Sequence, residues 1–142
     1  MMRRILVALD ASPRSQHVLA VARQLGDLAQ AELRLFHVLY IPVDIPPAGR
    51  TAPDDAEIHE RARAHCELAQ LASGYARIHV ERPVLADQAI WRMIVDRADQ
   101  PDIDLLVMGS HGYGSLERLL GTTAAQVVNH CKRNVLIVRS TS

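Results

Sequence analysis

Apolar and polar positions along this chain switch repeatedly between two periods. Ile5 to Leu9 is an unbroken apolar run, the mark of a strand buried on both faces. After Asp10-Ala11-Ser12-Pro13, the residues Val18, Val21, Ala22, Leu25 and Leu28 recur at helical spacing. Ser12 is the expected N-cap of that helix, Pro13 its first residue, and Gln30 its approximate end. Glu32 to Tyr40 predicts a second strand, followed by a proline-rich loop from Ile41 to Gly49. A helix is expected from about Asp54 to Ala72, with a weak stripe of Ile58, Ala62, Ala69 and Ala72, stopped by Ser73-Gly74. Arg77 to Val80 predicts a third strand, and Pro83 suits an edge strand or its end. Ala86 to Ala98 predicts a helix with Ile90, Met93, Ile94 and Ala98 inward, and Asp104 to Met108 a fourth strand. A last helix from about Thr123 to Lys132, with Val127, Val128 and Cys131 on one face, leads to a fifth strand from Asn134 to Arg139.

Strands alternating with helices predict an α/β domain: one parallel sheet of five strands, right-handed crossovers, and helices on both faces. The 142 residues suit a single domain spanning 1–142. Apolar residues make up 49% of the chain, which supports a packed core. Lys+Arg and Asp+Glu both number 16 and are intermixed, so no basic face points to nucleic acid. The apolar run at the N-terminus stops at Asp10, too short for a signal peptide or a membrane span. Cys66 and Cys131 form no metal pattern and read as small, buried or half-buried apolar residues. A cytoplasmic, reduced protein is expected.

In an open parallel sheet, ligands bind beyond the carboxyl ends of the strands, where the strand order reverses. Two strand-end segments carry the chemistry there: Ala8-Leu9-Asp10-Ala11-Ser12, and Met108-Gly109-Ser110-His111-Gly112-Tyr113-Gly114-Ser115. The glycines of the second segment allow close approach of backbone to a ligand. Gly121-Thr122-Thr123 then opens a helix, and Thr123-Ala124-Ala125-Gln126 matches a capping box. N–H groups at a helix start attract anions, so these pieces describe a phosphate cradle. It is not a Walker A loop, because the chain's one lysine, Lys132, lies elsewhere. It is not a dinucleotide fingerprint either, because the glycines follow the fourth strand. Backbone amides and hydroxyls would therefore meet the phosphate charge, with Asp10 a candidate oxygen ligand for a divalent cation.

Gly109-Ser110-His111-Gly112, eight residues, then Gly121-Thr122 resembles the nucleotide signature of the universal stress protein family. The resemblance extends over the whole chain, through Leu9-Asp10-Ala11-Ser12, His37-Val38 and Asn134-Val135-Leu136-Ile137-Val138. The spacer from Tyr113 to Leu120 is one residue shorter than the family's usual nine, and Ala86-Asp87 stands where the family often has a glycine. The resemblance implies a Rossmann-like sheet in the order 3-2-1-4-5, of the adenine nucleotide alpha hydrolase type. It implies ATP, ADP or AMP between the first and fourth strands, with magnesium or manganese as a companion ion. Asp10 would then meet the ribose or adenine, Ala8 and Leu9 would line the base, and Val38 would pack on the ring. Gly109, His111 and Gly112, with Met108 and Ser110 beside them, would wrap ribose and phosphates. Gly121, Thr122 and Thr123 would bind the terminal phosphates.

Plainer readings stand beside these. Asp10 by itself reads as a turn residue ahead of the Ser12 cap, and His111 as a solvated loop residue using only its backbone. His37, in a strand, reads as structural. In the implied order the last strand is an edge, and Val135, Leu136, Ile137 and Val138 make it apolar on both faces. Such an edge invites pairing with a second copy, so a homodimer is expected. The expected function is an ATP-binding regulatory or stress-response protein without catalytic machinery. The rivals are a weak ATPase and a nucleotide-independent interaction module of the same fold.

Overall fold

β1 (Arg4–Ala8) is the central strand of a parallel sheet, with the pairing Arg4↔Glu32 to Ala8↔Phe36 on one side and Ile5↔Leu105 to Ala8↔Met108 on the other. The computed structural model describes residues 2–10, 12–39, 55–85, 89–110 and 121–139. After β1 come α1 (Ser15–Ala29), β2 (Glu32–Phe36), β3 (Val38–Leu39), α2 (Asp55–Ala72), β4 (Ile78–Val80) and β5 (Val84–Leu85). They are followed by α3 (Ile90–Ala98), β6 (Leu105–Gly109), α4 (Thr122–His130) and β7 (Asn134–Val138). The main sheet has five strands in the order β4-β2-β1-β6-β7, all parallel, and β3 pairs with β5 in a separate two-stranded sheet. Without the two short strands this is the order 3-2-1-4-5.

The second strand was expected to run unbroken from Glu32 to Tyr40. Instead it breaks at His37, which leaves the main sheet and hands the chain to β3. Its carbonyl accepts the Val84 N–H at 3.1 Å, which starts the β3–β5 pair.

Strand alternation divides the core into two layers. Ile5, Val7 and Leu9 face α1 and α2, packing with Val18, Leu19, Ala22 and Leu68. Leu6 and Ala8 face α3 and α4, packing with Ile94, Val95, Ala98 and Val127. Several helical faces turn a little from the sequence expectation. Leu28, expected inward, is 85% exposed, whereas Leu19 is buried. In α2, Ala64 and Leu68 are buried and Ile58 is exposed, because that helix carries too few apolar residues to fix its face from sequence. Val128 is exposed beside the buried Val127. Cys66 is exposed, against expectation, and both cysteines are free thiols. Burial pushes the Cys131 thiol up from its ordinary value, and the thiol donates to Asp99 Oδ1 at 3.4 Å.

Away from the glycine segment, six charged side chains close a ring. Arg4 pairs with Glu32 (3.2 Å) and Asp102 (3.4 Å), Arg34 with Glu32 (2.6 Å) and Glu81 (3.6 Å), and Arg97 with Glu81 (2.6 Å) and Asp102 (2.9 Å). Three cations and three anions alternate around it, so each charge is opposed twice. The ring joins β1, β2, the end of β4 and the end of α3.

Candidate functional site

The strand order reverses between β1 and β6. From β1 the chain moves outward to β2 and β4, then crosses to β6 and β7. At that switch point a cleft lies at the carboxyl ends of β1 and β6. Its lining includes Ala8, Leu9, Asp10, Met108, Gly109, Ser110, Gly121 and Thr123, all expected from the sequence. Val38 is not among them. It is 1% exposed, packed in the α3/α4 layer with Leu6 and Phe36, so its side chain is core. Thr122 is exposed as the first residue of α4 and does not line the cleft either. His111 and Gly112 lie outside the described residues.

One wall is the start of α1. Asp10 Oδ1 accepts the Ser12 N–H at 3.0 Å and the Ser15 hydroxyl at 3.2 Å. Its other oxygen, Oδ2, lies 4.0 Å from Arg14 Nη2. The helix begins at Ser15 with Arg14 as N-cap, two residues later than Ser12-Pro13 suggested. Ser12 still accepts the Arg14 N–H at 3.3 Å, but within a turn that precedes the helix. The turn reading of Asp10 is thus correct as far as it goes: its carboxylate ties the turn before α1 to the hydroxyl of the helix's first residue. Asp10 also lines the cleft, so the turn and the site share one side chain.

The other wall is the start of α4. Here the sequence reading needs a second correction, because Thr123 does not cap the helix. Gly121 is the N-cap, with φ −59° and ψ 159°, and its carbonyl accepts the Ala125 N–H at 2.9 Å. Thr123 already lies in the first turn, so no capping box forms with Gln126. No side chain among the described residues caps this helix. Gly121 is held instead through its backbone, its N–H donating to the Ser110 carbonyl at 2.9 Å, while the Ser110 N–H donates to Val138 at 2.9 Å. β6, β7 and α4 are thereby locked around the cleft floor.

Among the described residues neither helix start has a side-chain cap. At α1 the Asp10 carboxylate accepts from the preceding turn and from the Ser15 hydroxyl, and at α4 the N–H groups of the first turn lie close to Gly109, Ser110 and the Thr123 hydroxyl. The electrostatic end of α4 favours an anion at that position.

Four lining residues escaped the sequence reading: Arg14, Ser15, Val18 and Ala124. Helical spacing carried the signal, since Arg14 and Ser15 follow Asp10 by four and five residues and Val18 lies on the same helix. A fifth residue supports the site from behind. His37, 6% exposed, donates its Nδ1–H to the Leu9 carbonyl at 2.7 Å. A carbonyl only accepts, which fixes the proton on Nδ1. The Leu9 N–H donates to the Phe36 carbonyl at 2.9 Å, so the residue before Asp10 is held at both backbone groups.

Comparison with known proteins matches residues 1–139 to the Universal stress protein family. The chain belongs to the universal stress protein family. Universal stress protein A homolog 1 of Coxiella burnetii is 28% identical over 138 residues, covering 96% of this chain and 95% of that protein. Among solved structures, the universal stress protein UspA from Lactobacillus plantarum superimposes with a TM-score of 0.74 at 27% identity, covering 96% of this chain and 97% of the other. A universal stress protein solved in complex with cAMP gives a TM-score of 0.70 at 27% identity, covering 99% and 98%. The five-stranded parallel sheet and its flanking helices are those of this family's fold.

Asp10 is the one carboxylate among the cleft's described lining residues, and a guanidinium stands beside its outer oxygen. That donor set suits a resident divalent cation poorly, since Asp10 Oδ1 is already occupied by two donors.

Proposed function

We propose that this universal stress protein binds an adenine nucleotide, ATP foremost, in the β1–β6 cleft and acts by regulation rather than turnover. The observation that carries the reading is the start of α4. Among the described residues no side chain caps its first turn, and Gly121, Thr123 and Ala124 line the cleft at the switch point of the sheet. A phosphate seated there would accept from those N–H groups and from Thr123. The complex of a 27% identical relative with cAMP supports the adenylate class. A magnesium or manganese ion would come with the nucleotide's phosphates, not from a preformed carboxylate set. The one carboxylate among the described lining residues is engaged by Ser12 and Ser15, which favours binding over hydrolysis.

The homodimer belongs to the same proposal. β7 is a sheet edge with Val135, Leu136 and Ile137 half-buried, and pairing two such edges would cover them. Val138 serves the core instead, at 7% exposure. A cytoplasmic location fits the two free thiols, and no helix among the described residues is long and apolar enough to cross a membrane.

The deciding experiment is mass spectrometry of small molecules released on denaturing the purified protein, with titration calorimetry against ATP and magnesium. An adenylate in the released fraction, or saturable heat with ATP, is expected. No nucleotide and no heat would leave the interaction-module rival standing.

A further inference from the structure

Resting on the adenylate reading, we propose that Arg14 sets the cleft's preference among adenine nucleotides by phosphate number, favouring di- and triphosphates over monophosphates. The described lining of the cleft holds one anion, Asp10, and one cation, Arg14. Asp10 is fixed, because Ser12 and Ser15 hold its Oδ1. A nucleotide phosphate at the start of α4 would therefore share the cleft with the Asp10 carboxyl group.

One phosphate can be served by the N–H groups of the first turn of α4 and the Thr123 hydroxyl. Each further phosphate adds negative charge that the helix start does not balance, since its influence fades within a turn. Arg14 is the group in place to balance it. Its backbone is anchored as the N-cap of α1, but its side chain is 43% exposed and its Nη2 lies 4.0 Å from Asp10 Oδ2, the outer limit of an ion pair. So loose a pair yields readily to a better acceptor. The guanidinium fork matches phosphate oxygens two at a time, which neither a lysine nor a neutral amide reproduces.

Arg14 is thus a specificity residue, and its effect must scale with the number of phosphates. The test is titration calorimetry of the wild type, Arg14→Gln and Arg14→Lys with ATP, ADP, AMP and cAMP at constant magnesium and two salt concentrations. Arg14→Gln is expected to weaken ATP about tenfold, ADP less, and AMP and cAMP by no more than about twofold. Arg14→Lys should fall between, and the salt dependence of ATP binding should become shallower in Arg14→Gln. An equal loss for all four ligands, or none, overturns the proposal. A wild type that binds none of the four overturns the adenylate reading itself. Any residue preserves the Arg14 N–H to Ser12 bond, and thermal unfolding checks that the variants fold.

Discussion

The Nδ1–H of His37 donates to the carbonyl of Leu9 at 2.7 Å, joining a break in one strand to the end of its neighbour. That bond spans the point where β1 ends and the Asp10 turn begins. Replacing His37 with phenylalanine keeps bulk but removes the donor. We expect a loss of about 1–2 kcal/mol in urea unfolding, with weaker ATP binding because the Asp10 turn loses a support. Unchanged stability and affinity would show that His37 is filler.

The start of α4 gives a second prediction. Gly121→Asp would place a carboxylate at the N-cap of α4, against the N–H groups of its first turn. The backbone at Gly121, with φ −59°, accepts any residue without strain. Stability should rise by about 0.3–1 kcal/mol, while nucleotide affinity falls by at least about tenfold. Denaturant midpoints and calorimetry on the same samples read both. A variant that is stabilised yet binds ATP normally would place the phosphates elsewhere.

Arg97 grips Glu81 through two bonds, Nε to Oε1 at 2.8 Å and Nη2 to Oε2 at 2.6 Å, and reaches Asp102 as well. Arg97→Met should cost about 1–2 kcal/mol, more than an exposed pair because Arg97 and Glu81 are largely covered. The hydrogen bond from Arg97 holds the Asp102 carboxyl below its ordinary value, opposed by slight burial. A depressed carboxylate adds stability above its unfolded pKa, roughly 3.9, and loses it as pH falls through the folded value. Wild-type stability should therefore drop below about pH 4, and Arg97→Met should drop less steeply there. Asp104, lowered by the N–H groups of Arg3 and Arg4, keeps a residual slope in both proteins. Parallel pH profiles would remove Arg97 as the cause.

The end of α1 holds two positions that should respond in opposite directions. Gln30 adopts a left-handed conformation, φ 53° and ψ 41°, with its N–H bonded to Asp27 and the Ala31 N–H to Gly26. A side chain there is strained, so Gln30→Gly should stabilise by about 1 kcal/mol. Gly26 lies inside the helix, where propensity alone makes alanine better by about 1 kcal/mol. A Cβ at Gly26, however, would stand 2.7 Å from Tyr75 Oη and 3.1 Å from Leu33 Cδ2. Packing outweighs propensity, and Gly26→Ala should destabilise by about 1–3 kcal/mol. Thermal unfolding of both variants settles the signs.

Much of this was legible in the sequence because it depends on neighbours along the chain. The apolar run Ile5 to Leu9 and the turn residues after it announce a buried strand and its exit. Glycines after a strand, followed by a helix start, announce backbone offered to a ligand. The faces of α1 and α2 were less legible. Leu19 and Leu28 both fit helical periodicity, and only the sheet beneath α1 decides which is covered. The cap of α4 was misjudged for a related reason. Thr123 has the better capping side chain, but the bond from Gly121 to Ser110 fixes where the helix begins.

By itself the sequence determined the alternation of strands and helices, strand-end residues that line the cleft, and the family the chain belongs to. Local periodicity and turn chemistry suffice for those. Only the tertiary structure decided that Val38 is core, that Asp10 is held by Ser12 and Ser15 ahead of α1, and that Arg14 lines the β1–β6 cleft. It alone closed the ring from Arg4 to Asp102, whose members lie far apart in the chain. Burial, and the pairing of charges across strands, depend on which elements lie side by side. That is a property of the assembled sheet, which no stretch of sequence carries alone.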